Sequence, residues 1–125
     1  MNTEMMMREI EWVGEVQDWN ETRDNLRYTS SLEYAMMDEE LTEYMEAAIT
    51  GDIVGQADAL ADILVVATGA LYKLTGGNAY KFDDIMLAVT AANNTKSATK
   101  DEKGKITKPA NFVGPESMIE SILCK

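Results

Sequence analysis

The sequence predicts an all-α fold, an antiparallel bundle of four to five helices that assembles as an oligomer, with residues 1–125 forming one domain. Three observations lead there. Apolar residues recur at helical spacing in four or five stretches, no stretch alternates apolar and polar residues as a half-buried strand does, and no repeat of solenoid length is present.

Taken in order, Ile10, Val13, Val16 and Trp19, with Trp12 beside them, give the first amphipathic helix, and the polar run Asn20 to Tyr28 reads as its connection. Ser30 or Ser31 is suited to cap a second helix with an apolar stripe of Met37, Leu41, Tyr44, Met45 and Ala48. Gly51 reads as the stop and Asp52 as the next N-cap. The third helix, Ile53 to Leu74, is apolar around most of its circumference from Ile63 onward, so it needs covering on several sides. In so short a chain a second subunit is the expected cover, hence a homo-oligomer, dimer or tetramer. Gly76 and Gly77 end that helix, and Phe82, Ile85, Met86 and Val89 mark a fourth running to about Asn93. From Asn94 to Gly114 the periodicity fails among lysines, Gly104 and Pro109, which predicts a lysine-rich loop over 96–114. Pro115 then opens a short helix, Glu116 to Leu123, as its first residue.

Composition narrows the chemistry. With no histidine there is no imidazole base, no Ser-His-Asp arrangement and no Cys/His zinc site. The single Cys124 has no partner in the chain, so the expected home is a reducing cytoplasm. Met1 to Arg8 holds Glu4 and lacks an apolar signal core, and Ala57 to Leu74 is broken by Asp58, Asp62 and Lys73, so neither a secretory signal nor a membrane partner is expected. Charge is uneven: residues 1–66 carry 3 basic and 16 acidic side chains, residues 67–125 carry 8 and 6. Nucleic-acid binding, which needs a cationic face, is therefore not expected. A site with cations at one end and anions at the other suits the pattern better.

Three stretches could carry such a site. Glu39, Glu43 and Glu46 share one stripe of the second helix, with Glu40 on its flank. Alone, they would read as a solvated acidic face. Asp58 and Asp62 lie one turn apart on the most apolar helix, where an unpaired carboxylate is expensive. They either occupy that helix's one wet edge, or pair with Arg23, Arg27 or a lysine, or converge with the second helix on a divalent cation. The second reading is preferred, and an all-oxygen donor set selects Mg²⁺, with Mn²⁺ as substitute. Asn93, Lys96, Lys105 and Lys108 could hold a polyphosphate, or belong to a mobile loop.

These elements in this order resemble the all-α nucleoside triphosphate pyrophosphohydrolases, the MazG-like and phosphoribosyl-ATP pyrophosphohydrolase-like group. Glu39-Glu40-Leu41-Thr42-Glu43 matches the E-E-x-x-E motif of that family, and Asp58 to Gly69 is similar to its second acidic segment. Asn93-x-x-Lys96 followed by Gly104-Lys105-x-x-Lys108-Pro109 is similar to the tail of a branch common among phage and bacterial members. In the commoner E-x-x-D spacing the Glu position falls on Ala59, so Asp58 becomes the partner of Asp62.

The resemblance implies hydrolysis of a nucleoside triphosphate, in expectation a deoxynucleotide, to the monophosphate and pyrophosphate. Glu40, Glu43, Asp58 and Asp62 are the expected Mg²⁺ ligands, Glu39 or Glu43 the catalytic carboxylate that accepts a proton from water, and Asn93, Lys96, Lys105 and Lys108 the substrate-binding residues. Trp12, Trp19, Tyr28 and Tyr80 are the candidates to stack on a base. Two other readings compete: an acidic helical DNA mimic, supported by the net charge of −11, and a degenerate member that binds nucleotide without turnover, supported by Ala59.

Overall fold

The computed structural model describes the backbone of residues 3–125 and the side chains of residues 11–125. The expectations resting on the side chains of Met1 to Arg8 and Ile10 fall outside these. Five helices follow in order: α1 (Thr3–Thr22), α2 (Ser30–Ile49), α3 (Ile53–Leu74), α4 (Ala79–Asn93) and α5 (Glu116–Leu123). The all-α prediction holds, the only β pairing among the described residues being one isolated antiparallel bridge between Lys100 and Ile106. The chain divides into two compact units, Met1–Gly77 and Asn78–Lys125.

In the first unit α2 packs along α3 and α1 lies on α3. The α1 helix runs past the expected start of its connection to Thr22, because Asn20 is needed inside. Buried at 4% exposure, its Nδ2 donates to the Val16 carbonyl and its Oδ1 accepts from Asn25 Nδ2 at 2.8 Å. Asp24, in the left-handed region at φ 49°, turns the chain there, and Asn25 N donates to the Asn20 carbonyl. Gly69 of α3 provides the close approach: a Cβ at that position would sit 3.3 Å from Asn20 Nδ2. One turn further on, Tyr72 donates its hydroxyl proton to Glu21 Oε1 at 2.5 Å. Burial first, and then the Glu21 contact, push the Tyr72 phenol up to about 12. Asn20 against Gly69 and Glu21 against Tyr72 advance together, so α1 runs parallel to α3.

The second helix starts from Thr29 rather than from Ser30 or Ser31, with no side-chain cap hydrogen bond. The α2–α3 turn is as expected: Gly51 is left-handed at φ 69°, and Asp52 caps α3 by accepting from Gly55 N at 2.9 Å. The stripe of α2 that faces α3 is not the expected one. Glu33 and Ala47 are buried and Met37, Glu40 and Tyr44 half-buried, whereas Leu41, Met45 and Ala48 are exposed. An ion pair turns the helix this way. Lys73 Nζ lies 2.6 Å from Glu33 Oε1, both side chains buried, and with this rotation neither charge is buried without the other, the arrangement that would cost most.

By length and a mean hydropathy of 1.5, α3 meets the requirement for a membrane span, as core helices of soluble proteins also do. Its Lys73 ammonium is nevertheless tied to α2 and its Tyr72 to α1. In the second unit Phe82 and Ile85 of α4 and Ile122 of α5 form the core. Asn78 caps α4 by accepting from Lys81 N, and the Lys81 ammonium donates to the carbonyls of Leu123 and Lys125 at the end of α5. Pro115 sits at the N-cap of α5, one residue earlier than expected.

Candidate metal centre

The α2–α3 pair is antiparallel, and two contacts fix its register. At one end Glu33 meets Lys73; at the other, Ala47 lies against Gly55, where an added Cβ would stand 3.1 Å from the Ala47 Cβ. Glu40 lies seven residues after Glu33 and seven before Ala47, on the same stripe, since seven residues bring an α-helix back to nearly the same face. Asp62, three residues after Ala59, comes up opposite. The register of the hairpin therefore converts a sequence motif into a cluster: carboxylate oxygens of Glu40, Glu43 and Asp62 lie within 4.8 Å of one another.

Glu40 and Asp62 are half-buried and Glu43 is exposed, so the cluster is rooted between the helices and opens to solvent on one side. Glu40 Oε2 is shut off from water and has no hydrogen-bond partner. Burial, and then the charges of Glu43 and Asp62, hold the Glu40 carboxyl above the usual carboxylate range. Three carboxylates at this separation repel one another, and a desolvated oxygen without a donor costs free energy. A hard divalent cation resolves both, and the donor set is all oxygen, which suits Mg²⁺ or Mn²⁺. The residues present fit the ion.

One of the carboxylates expected as a ligand lies outside the cluster. Asp58 is exposed and outside the cluster, one turn towards the N-terminus of α3 from Asp62; because the helices are antiparallel, Glu40 and Glu43 meet α3 beyond it. Glu39 is exposed on α2 beside Glu40. Arg23, considered as a partner for the aspartates, lies instead over the Trp19 ring, 4.4 Å from its centroid.

The lysine segment of the second unit is more ordered than a bare loop composition implies. The Lys100 to Ile106 bridge closes a tight hairpin in which Asp101 Oδ1 accepts from Lys103 N and Lys105 N, both at 2.9 Å. Ser97, Thr99 and Thr107 join their hydroxyls across it at 2.7 to 2.9 Å. Lys96 and Lys108 come together over Phe112, at 5.9 and 5.2 Å from the ring centroid. Lys105 is exposed on the turn, and Asn93 is exposed at the end of α4, its carbonyl accepting from Lys96 N.

Two features escaped the sequence reading. The Glu33–Lys73 pair was signalled only by a charged residue one heptad before Glu40 and by a lysine in an otherwise apolar helix. The other is a cleft of about 350 Å³ lined by Trp12, Glu15, Val16 and Trp19 of α1 and Val65 of α3. The aromatic residues were visible in the sequence; that Glu15 lines the same cleft follows from its place between them at i+3.

Among known proteins, residues 16–76 match the family model for phosphoribosyl-ATP pyrophosphohydrolase. The match takes in Glu39, Glu40, Glu43, Asp58 and Asp62 and ends before the lysine segment. No curated protein and no solved structure matches the chain.

Proposed function

We propose that this chain is a Mg²⁺-dependent pyrophosphohydrolase, a hydrolase of the phosphoric anhydride in nucleoside triphosphates, as the match of residues 16–76 to the phosphoribosyl-ATP pyrophosphohydrolase family model suggests. It converts a deoxynucleoside triphosphate to the monophosphate and pyrophosphate. The observation that carries this reading is the cluster of Glu40, Glu43 and Asp62 with the buried, unpartnered Glu40 Oε2.

Those three residues would hold the cation, which when bound neutralises phosphate charge and polarises water. The exposed Glu39, or Glu43, accepts the proton of the water that attacks the α-phosphorus. Asn93, Lys96, Lys105 and Lys108 are proposed to bind the phosphates, on the strength of the paired ammonium groups around Phe112. A homo-oligomer is part of the proposal. Leu41 and Met45 of α2 and Leu60 and Leu64 of α3 are each about half exposed, and apolar surface of this extent is usually covered in soluble proteins. A light-scattering mass near 13.9 kDa at micromolar concentration would count against it.

The test is pyrophosphate release from the eight common ribo- and deoxyribonucleoside triphosphates, with Mg²⁺ and with chelator. Asp62→Asn keeps the shape of the side chain but weakens the anionic ligand, so turnover should fall by orders of magnitude while helicity by circular dichroism is kept. A fully active Asp62→Asn variant, or full turnover in chelator, removes the metal-centre argument. Nucleotide binding without turnover would favour the degenerate reading, and no nucleotide binding the DNA mimic.

A further inference from the structure

The cleft beside the metal centre has the form of a base-recognition site with a built-in preference. Trp12, Glu15, Val16 and Trp19 occur at i, i+3, i+4 and i+7 of α1, one continuous stripe of that helix, and Val65 of α3 supplies the opposite wall. Val65 is three residues from Asp62, about 4.5 Å along the helix axis and on a neighbouring part of the same face. The cleft therefore adjoins the carboxylate cluster along α3, within one nucleotide's reach of it.

The two indoles differ in how firmly they are held. Arg23 donates to the Trp19 carbonyl at 3.1 Å and lays its guanidinium over the Trp19 ring, so that ring is fixed from behind. Both tryptophans remain partly exposed, at 39% and 53%, in a position to take a flat ring between or against them. The polar group between them is Glu15, exposed and anionic. An ionised carboxylate only accepts hydrogen bonds. It rewards a base edge that carries an amino group over the uracil or thymine edge, where the single N3–H donor is flanked on both sides by carbonyl oxygens that the carboxylate repels.

We propose that the Trp12–Glu15–Trp19 cleft receives the base of the substrate and that Glu15 selects bases with an exocyclic amino group, cytosine or adenine in particular, against uracil and thymine. The proposal rests on the triphosphate reading above and names its substrate class. A charge-assisted hydrogen bond from an amino group, set against repulsion of a carbonyl oxygen, discriminates more strongly than a missing contact, so a preference of about tenfold is expected within the cytosine and uracil pair, whose shapes are nearly equal.

The chain has only two tryptophans, both in the cleft, so its intrinsic fluorescence reports on this site alone. The full-length protein would be titrated, in the presence of Mg²⁺, with the α,β-imido analogues of dCTP, dATP, dUTP and dTTP, reading tryptophan emission. Pyrophosphate release from the four natural triphosphates would be measured in parallel. Quenching by the amino-bearing analogues at about tenfold lower concentration is expected, with the same order in kcat/KM. Glu15→Gln, whose amide both donates and accepts, should bring the dCTP to dUTP ratio close to one by improving use of dUTP, a gain that a loss of structure does not produce. Equal quenching by all four, no quenching by analogues that are shown by calorimetry to bind, or an unchanged base ratio in Glu15→Gln would overturn the proposal, as would a cleft closed by a second copy of the chain and blind to every analogue. The two readings separate cleanly: turnover without base preference leaves the hydrolase standing and removes the cleft, whereas selective quenching without pyrophosphate release does the reverse.

Discussion

Replacing Lys73 with Met should cost this chain a large part of its stability, and restoring balance at Glu33 should return it. Lys73 Nζ and Glu33 Oε1 are 2.6 Å apart, with the two side chains only 4% and 7% exposed. Glu33 Oε2 is buried without a partner, so Lys73→Met leaves a carboxylate in the helix interface with neither oxygen held by the ammonium. Breaking a buried pair from one side typically costs about 3–5 kcal/mol, because the remaining charge stays desolvated. Set against a usual total of about 5–15 kcal/mol, such a loss moves the melting temperature by roughly 10–20 °C in a domain of this size. The double variant Glu33→Leu/Lys73→Met removes both charges and keeps the volume, so it should lie within about 1 kcal/mol of the parent or above it. Urea unfolding followed by circular dichroism at one fixed protein concentration measures all four corners of the cycle. A cost below about 1 kcal/mol for Lys73→Met would show that the pair behaves like an exposed one, and the argument that it sets the rotation of α2 would fall.

Further outcomes follow from the other contacts. Glu40 is held above its ordinary value, so without metal the folded chain keeps this proton to higher pH than the unfolded chain, and stability falls as pH rises from the ordinary Glu range through the raised value. Thermal melts in chelator should therefore show Glu40→Gln more stable than the parent above that window and no different below it, and only the parent should gain on adding Mg²⁺, by about 2.7 kcal/mol at a hundredfold excess over the dissociation constant. Coincident melting curves for the two proteins across the whole range would contradict this. Gly69→Leu should destabilise by about 1–3 kcal/mol, since even a Cβ there reaches 3.3 Å from Asn20 Nδ2, whereas Gly69→Ala should be nearly neutral, its helix propensity offsetting the tight contact. Changing Lys96, Lys105 or Lys108 to Ala should weaken nucleotide binding or turnover with little change in the melting temperature of the free protein, and kinetics unaltered in all three would remove the lysines from the site.

Much of this protein was written in local sequence. Helical periodicity, the Gly51-Asp52 stop and cap, and the Gly76-Gly77 break fixed α3 and the turn before it to the residue, because each depends on backbone conformations that nearby side chains decide. The E-E-x-x-E run and Asp62 were likewise legible as candidate ligands. Their convergence was expected, but which of them meet was not legible. A helix carries its stripes whatever packs against it, and only the partner decides which stripe turns inward. On α2 the most apolar stripe faces away from α3 and the one carrying Glu33 and Glu40 faces it, which lets Glu33 reach Lys73 and brings Ala47 against Gly55. That antiparallel register set Asp62 against Glu40 and Glu43 and left Asp58 a turn away in water. In the same manner α1 extended to Thr22 because Gly69 offered room for Asn20, and its parallel course along α3 brought Glu15 and both tryptophans against Val65, beside the carboxylates. Residue spacing determined what each helix could present; long-range packing, where buried charges must find partners and close approach needs small side chains, determined what they presented to one another.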